Sequence, residues 1–237
     1  MSRLNVPLGR WFGVPVYLHW SWMLMFLVIL VSNPGFVSLY VSLFFLVLLH
    51  ELGHSLMARR FGAATRDIML WPFGGIATVN VPVEPKAELC VALAGPAVNA
   101  ALVPVFFAMP DYNFWNLLGY YNLMLLVFNL LPAFPMDGGR ALRSLLTFGL
   151  KDQLRATRIA ARIGQGICIF LGVYGLLNGW LMLTLIAVII GMAAEQEIRA
   201  AEIRSVASVF AGREIHDSLE AMREIQRQLD QYHREYD

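Results

Sequence analysis

Charge is scarce in this 237-residue chain: only 15% of its residues are Asp, Glu, Lys or Arg, against 58% that are hydrophobic. Together with a mean hydropathy of +0.58, that balance excludes an ordinary soluble domain. An excess of either sign is missing too. Eighteen Lys and Arg face seventeen Asp and Glu, a net charge of +1, so there is no basic surface from which to argue for nucleic acid. Cysteine is nearly absent: Cys90 and Cys168 both lie in apolar stretches, which leaves neither a disulfide framework nor a Cys-x-x-Cys metal site. No internal repeat or low-complexity tract stands out.

What the chain has instead is long apolar runs, at Val16–Val31, Phe36–Met57, Ala87–Met109, Phe114–Leu131, Ile159–Leu177 and Trp180–Ala194. About 20 helical residues cross the hydrocarbon of a bilayer, so the expectation is an all-α polytopic membrane protein with six transmembrane helices. The first run follows Arg3 and Arg10 but has no small-residue cleavage site and leads through Ser32-Asn33-Pro34 into the second. It is read as an uncleaved membrane helix.

An even number of spans puts both termini on one side, and the loops 32–35, 110–113 and 178–179 on the other. Those loops contain no Lys or Arg. The positive-inside rule then makes the termini cytosolic in a multi-pass protein of the cell membrane. Between Arg59 and Lys86 the run Trp71-Pro72-Phe73-Gly74-Gly75-Ile76-Ala77-Thr78-Val79 reads as a turn and a short membrane-associated strand. Residues 1–194 are expected to form the six-span domain and 195–237 a cytosolic amphipathic helical tail. In that tail Ile215, Leu219, Met222, Ile225, Leu229 and Tyr232 recur at helical spacing. Such a stripe suits the membrane, the protein's own surface, or a second copy or regulatory partner.

The second run contains His50-Glu51-Leu52-Gly53-His54. Two imidazoles at i and i+4 of a helix stand about 40° apart around its axis and about 6 Å apart along it, so both reach one metal ion while Glu51 flanks it. The run before them, Phe44-Phe45-Leu46-Val47-Leu48-Leu49, offers no polar partner. Ionisable groups in a membrane helix cost several kcal/mol unless paired, which makes function the default reading. Zinc with two histidines takes a third protein ligand and keeps the fourth position for water. Asp137, in Asn129-Leu130-Leu131-Pro132-Ala133-Phe134-Pro135-Met136-Asp137-Gly138-Gly139-Arg140, is the candidate. By spacing alone it serves equally as a helix cap before the Gly-Gly pair.

HELGH in one span and NLLPAFPMDGGR in a later one resemble the site-2 protease family of intramembrane metalloproteases, in its compact six-span form without PDZ or CBS domains. The resemblance runs from about Val6 to Ala194. It implies one zinc ion on His50, His54 and Asp137, Glu51 as general base, and Asn129 as a holder of substrate or the oxyanion. It also implies that Gly74, Gly75 and Ile76 belong to a strand whose edge holds an extended substrate. Ala94-Gly95-Pro96-Ala97-Val98-Asn99 is similar to the family's G-P-x-x-N element, in which Asn99 bonds neighbouring helices. Asn122 is expected to touch either a neighbouring helix or the substrate. His19, beside Trp20 and Trp22, reads as interfacial, and Glu88 and Arg162 as snorkelling to the cytosolic boundary.

The activity expected is zinc-dependent hydrolysis of a peptide bond in a transmembrane protein, near its cytosolic end. The rival reading is a metal-ion or proton transporter using the same His, Glu and Asp cluster. Transporters of that kind tend to show matching interruptions in two halves, and here HELGH has no counterpart.

Overall fold

The computed structural model describes residues 5–72, 74–79, 84–110 and 112–236. It is mostly helical, with a small sheet laid against one helix. The chain opens on a hairpin of β1 (Val6–Trp11) and β2 (Val14–Leu18), then α1 (Trp20–Ser32), a short 3₁₀ turn at Pro34–Phe36, and α2 (Val37–Arg60). Next come β3 (Thr65–Trp71), β4 (Gly74–Val79), α3 (Pro85–Phe107), α4 (Tyr112–Asn129), α5 (Asp137–Leu150), α6 (Gln153–Leu177) and α7 (Leu181–Tyr236).

Among the described residues, four helical stretches are long and apolar enough to cross a membrane: Pro34–Arg60, Pro85–Phe107, Gln153–Leu177 and Leu181–Ala207. Their outward faces stay apolar, as Ile169, Phe170, Leu177, Leu181 and Met182 show by their exposure. A lipid solvent explains that distribution, because packing between helices there rests on shape and polar contacts rather than on burial from water.

The first run is divided differently from the expectation. Val16 to Leu18 belong to β2, and helix begins only at Trp20, capped by the His19 side chain, which accepts from the Ser21 backbone N–H. Within β2, Val14, Val16 and Leu18 are buried while Pro15 and Tyr17 are half-buried, a period of two that a helix does not satisfy. The two-residue turn joining β1 to β2 has φ of 51° at Phe12 and 86° at Gly13, the left-handed pair that hairpins favour.

The sheet has the order β1-β2-β3-β4, parallel between β2 and β3 and antiparallel elsewhere. Ile68 and Leu70 of β3 join Val14, Val16 and Leu18 over Phe44, Leu48 and Leu52 of α2. Those three recur every four residues along one face of α2. The sheet therefore rides on the span that carries the histidines, with β4 at its end. Leu39 and Leu46 of α2 meet Phe106 of α3 and Leu118 of α4 in a second cluster.

A third cluster joins Phe134, Ala160, Ala161, Ala194 and Ile198, tying the loop before α5 to α6 and α7. Glu88 does not snorkel. It is buried and accepts from Nε of Arg143 at 3.0 Å, and Arg143 reaches Glu197 Oε1 of α7 at 2.5 Å with its Nη1. Arg162 is exposed, pairing with Gln165 at 2.9 Å. Residue 194, the boundary expected between domain and tail, falls inside α7, which continues without a break. Of the tail's apolar stripe Met222 is exposed, and the side chains of Ile215, Leu219, Ile225, Leu229 and Tyr232 lie outside the described residues.

Candidate metal centre

His50 and His54 stand one turn apart on α2, on the side turned toward α3, and both are 4% exposed. Asp137 is the first residue of α5, with Met136 as N-cap. The Gly138-Gly139 pair after it is a matter of space rather than of unusual backbone angles. A Cβ on Gly138 would stand 2.3 Å from the carbonyl oxygens of Leu130 and Leu131, and one on Gly139 2.7 Å from the carbonyl carbon of Ala133. Only with two glycines does the first turn of α5 fold back against the proline-containing loop and deliver its carboxylate to the histidines.

Asp137 Oδ2 lies 3.0 Å from His50 Nε2 and 3.0 Å from His54 Nε2, and the two Nε2 atoms are 3.0 Å apart. The outer nitrogens define what the inner ones carry. His54 Nδ1 is 2.7 Å from the Val91 carbonyl, which only accepts, so the proton sits on Nδ1. His50 Nδ1 is likewise 2.6 Å from Asn99 Oδ1. With neutral imidazoles, three acceptor atoms then converge and none of them donates to another. Such a triangle is repulsive until a cation enters.

Its dimensions fit zinc. Metal–ligand lengths of about 2.0 to 2.1 Å give a tetrahedral edge of about 3.3 Å, a few tenths of an ångström above the edges found here. Among the described residues, His50, His54 and Asp137 are the group whose ligand atoms converge in this way. Asp137 Oδ1 points toward Arg140, whose Nη1 is 3.8 Å away.

The surroundings leave room for the imidazoles by subtraction. A Cβ on Gly95 of α3 would stand 2.3 Å from His54 Nε2 and 2.7 Å from His50 Nε2. On the sheet side, a Cβ on Gly75 would stand 2.8 Å from Glu51 Cγ and 3.3 Å from Glu51 Oε1, so β4 passes directly over the Glu51 side chain. Gly74, Gly75 and Ile76 pair with Trp71, Leu70 and Met69 of β3, and the Ile76 side chain lies outside the described residues.

The two asparagines of α4 make their hydrogen bonds within the protein. Asn122 is fully buried and bonded to Asn99, the neighbouring-helix contact of its two expected alternatives. Asn129, half-buried at the end of α4, donates from Nδ2 to the Leu125 carbonyl of its own helix at 3.0 Å. His19 does more than sit at a boundary: its ring stacks on Trp71 at 3.9 Å between centroids. Gly95, Val91 and Arg140 were not given roles by sequence reasoning. For Gly95 the sequence offered only its place in the G-P-x-x-N element, since the imidazoles it faces belong to another helix.

The chain matches the profile of peptidase family M50 over residues 38–112 and 109–171. A zinc metalloprotease of Methanocaldococcus jannaschii is 36% identical over 217 residues, covering 85% of this chain and 63% of that protein. Stage IV sporulation protein FB of Bacillus subtilis is 29% identical over 196 residues, covering 76% of this chain and 67% of that one. The chain thus spans less than two thirds of the length of the first of these. Among solved structures, the Site-2 Protease from Methanocaldococcus jannaschii superposes with a TM-score of 0.61 at 34% identity, over 82% of this chain and 95% of that one. A profile match over more than half the chain, around a buried His-His-Asp triangle, makes this protein a member of peptidase family M50.

Proposed function

We propose that this protein is an intramembrane zinc endopeptidase that cleaves a membrane-spanning substrate near its cytosolic end. The observation that carries the reading is the triangle of acceptors on His50, His54 and Asp137, 3.0 Å on each edge, with both histidines in a helix long and apolar enough to cross a membrane. Zinc bound there supplies a Lewis acid that polarises a carbonyl and brings the pKa of water to about 7.

The chain's own groups do the rest. Glu51, adjacent in sequence to His50, takes the proton of the attacking water and later returns it to the leaving amide nitrogen. That carboxylate is half-buried and lies beneath Gly75 of β4. Asn129, turned off its helix, would donate to the oxygen of the reacting carbonyl. The substrate's carbonyl is accessible only where its helix unwinds. β4 lies at the end of the sheet order, so its outer edge at Gly74, Gly75 and Ile76 offers backbone groups to an extended segment.

The topology proposed has six spans, counting α1 and α4 with the four long stretches. Supporting it are the apolar surface of α1, which buries none of its 13 residues, and the 18-residue length of α4. The absence of Lys and Arg from loops 32–35, 110–113 and 178–179 supports cytosolic termini. His50 lies nine residues before Arg59, about 14 Å along the helix, so a short polar path from that side brings water to it.

The test compares the wild type with Glu51→Gln and His54→Ala, each purified in detergent. Wild type and Glu51→Gln should hold about one zinc and His54→Ala much less, while Glu51→Gln cleaves a membrane-spanning substrate about 10²–10⁴-fold more slowly. Cleavage by Glu51→Gln at the wild-type rate would sink the proposal.

A further inference from the structure

The two histidines are oriented by different means. His54 Nδ1 donates straight to a backbone carbonyl, that of Val91, at 2.7 Å. His50 Nδ1 donates to a side-chain amide, Asn99 Oδ1, at 2.6 Å. A carbonyl on the main chain has no choice of orientation, whereas an amide presents an acceptor or, turned over, a donor.

Resting on the metal reading above, we propose that Asn122 is a positioning residue for the ion: it holds the Asn99 amide the one way round that leaves the His50 Nε2 lone pair free. Asn122 of α4 donates from Nδ2 to the Asn99 backbone carbonyl at 2.8 Å, and its Oδ1 accepts from Asn99 Nδ2 at 2.7 Å. Both asparagines have no exposed surface, so no solvent substitutes for either bond.

The chain of bonds has a single direction because its last member is main chain. The Asn99 carbonyl only accepts, so the Asn122 NH₂ must face it. Asn122 Oδ1 then faces Asn99, which must offer its NH₂ there and its oxygen to His50. The His50 proton is held on Nδ1, and Nε2 points to the metal as a bare acceptor. Without Asn122 the Asn99 amide is free to turn. Its NH₂ then meets His50 Nδ1, the ring proton moves from Nδ1 to Nε2, and that proton occupies the place of the ion. Outer partners of metal-bound histidines commonly act on ligand orientation in this way.

The test measures zinc affinity in detergent by competition with a chelator. Asn122→Leu should bind zinc about 10–100-fold more weakly than wild type. The discriminating variant adds Asn99→Asp: a carboxylate accepts from His50 Nδ1 whichever way it turns, so the double variant should recover most of the loss. In cobalt-substituted protein, the visible absorption of Asn122→Leu should weaken and that of the double variant return. Should Asn122→Leu fail to fold, Asn122→Ala carries the same expectations. Wild-type affinity in the single variant, or a double variant as weak as the single, overturns the proposal, the latter because Asn122 would then act through packing alone. Failure of His54→Ala to lower zinc binding would overturn the metal reading itself, a separate result.

Discussion

Gly95 is where a single methyl decides the centre. Alanine is the better helix former, so Gly95→Ala should preserve or strengthen α3 taken alone. Yet its Cβ would lie 2.3 Å from His54 Nε2, and the imidazole has no flexible end that can give way. The expected result is loss of stoichiometric zinc with unchanged helical content, read by metal analysis beside circular dichroism. His50, Glu51 and His54 were legible in sequence because ionisable groups inside an apolar run demand partners; Asp137, beyond the end of such a run, stood equally as a helix cap until the resemblance singled it out. Asn122 was not legible as a link to Asn99, since a polar residue on a span looks the same whether it faces a substrate or a neighbour. Gly95 was quoted only as part of a G-P-x-x-N element; its facing imidazoles belong to another helix.

α5 is tied to the rest of the molecule by a buried ion pair as well as by Asp137. Arg143 and Glu88 are 6% and 5% exposed, and Arg143 also stands 5.1 Å over the Phe134 ring. Its Nη2 makes a further contact to Glu88, and Ser144 donates to the Pro85 carbonyl, so α5 is held to the start of α3 at two neighbouring positions. Removing one partner strands the other in an apolar setting, which typically costs about 3–5 kcal/mol, whereas replacing both with apolar groups is far milder. Arg143→Leu is therefore expected to lower the unfolding free energy measured in detergent by that order, and Arg143→Leu with Glu88→Leu to recover part of it. Sequence analysis placed Glu88 at a boundary, because nothing in α3 announces an arginine 55 residues later. The β1–β2 hairpin was also missed, although Val14, Val16 and Leu18 alternate and Phe12-Gly13 forms a turn before them. A run beginning at Val16 satisfies a hydropathy count equally well as strand or helix, and the window merged β2 with α1.

For the whole molecule, lipid imposes the arrangement of charge. Cations gather at Arg59, Arg60, Arg140, Arg143, Lys151 and the first turns of α6, while the loops at Asn33 and Asn178 have none. Single cysteines at Asn33 or Asn178, in a chain with Cys90 and Cys168 replaced by alanine, should react with an impermeant thiol reagent added to intact cells. One at Lys151 should react only after the membrane is opened. Labelling of Lys151→Cys from outside would reverse the orientation proposed. Between α6 and α7, Arg158 meets Glu202 at 2.8 Å, and within α7 Arg204 meets Glu197 at 2.9 Å, so the cationic end of this pair carries ion pairs.

Composition and spacing by themselves determined that this chain lives in a membrane and that a helix bearing the metal-binding pair His50 and His54 beside Glu51 lies within it, while Asp137 became the third candidate ligand through the resemblance. They do so because apolar solvent leaves ionisable groups no neutral explanation. Only the tertiary structure decided that three acceptors meet 3.0 Å apart, that Gly95 and Gly75 make the space for them, and that two asparagines from α3 and α4 orient His50. Those facts are contacts between different elements of the chain, and periodicity along one segment carries no information about which residue stands opposite it.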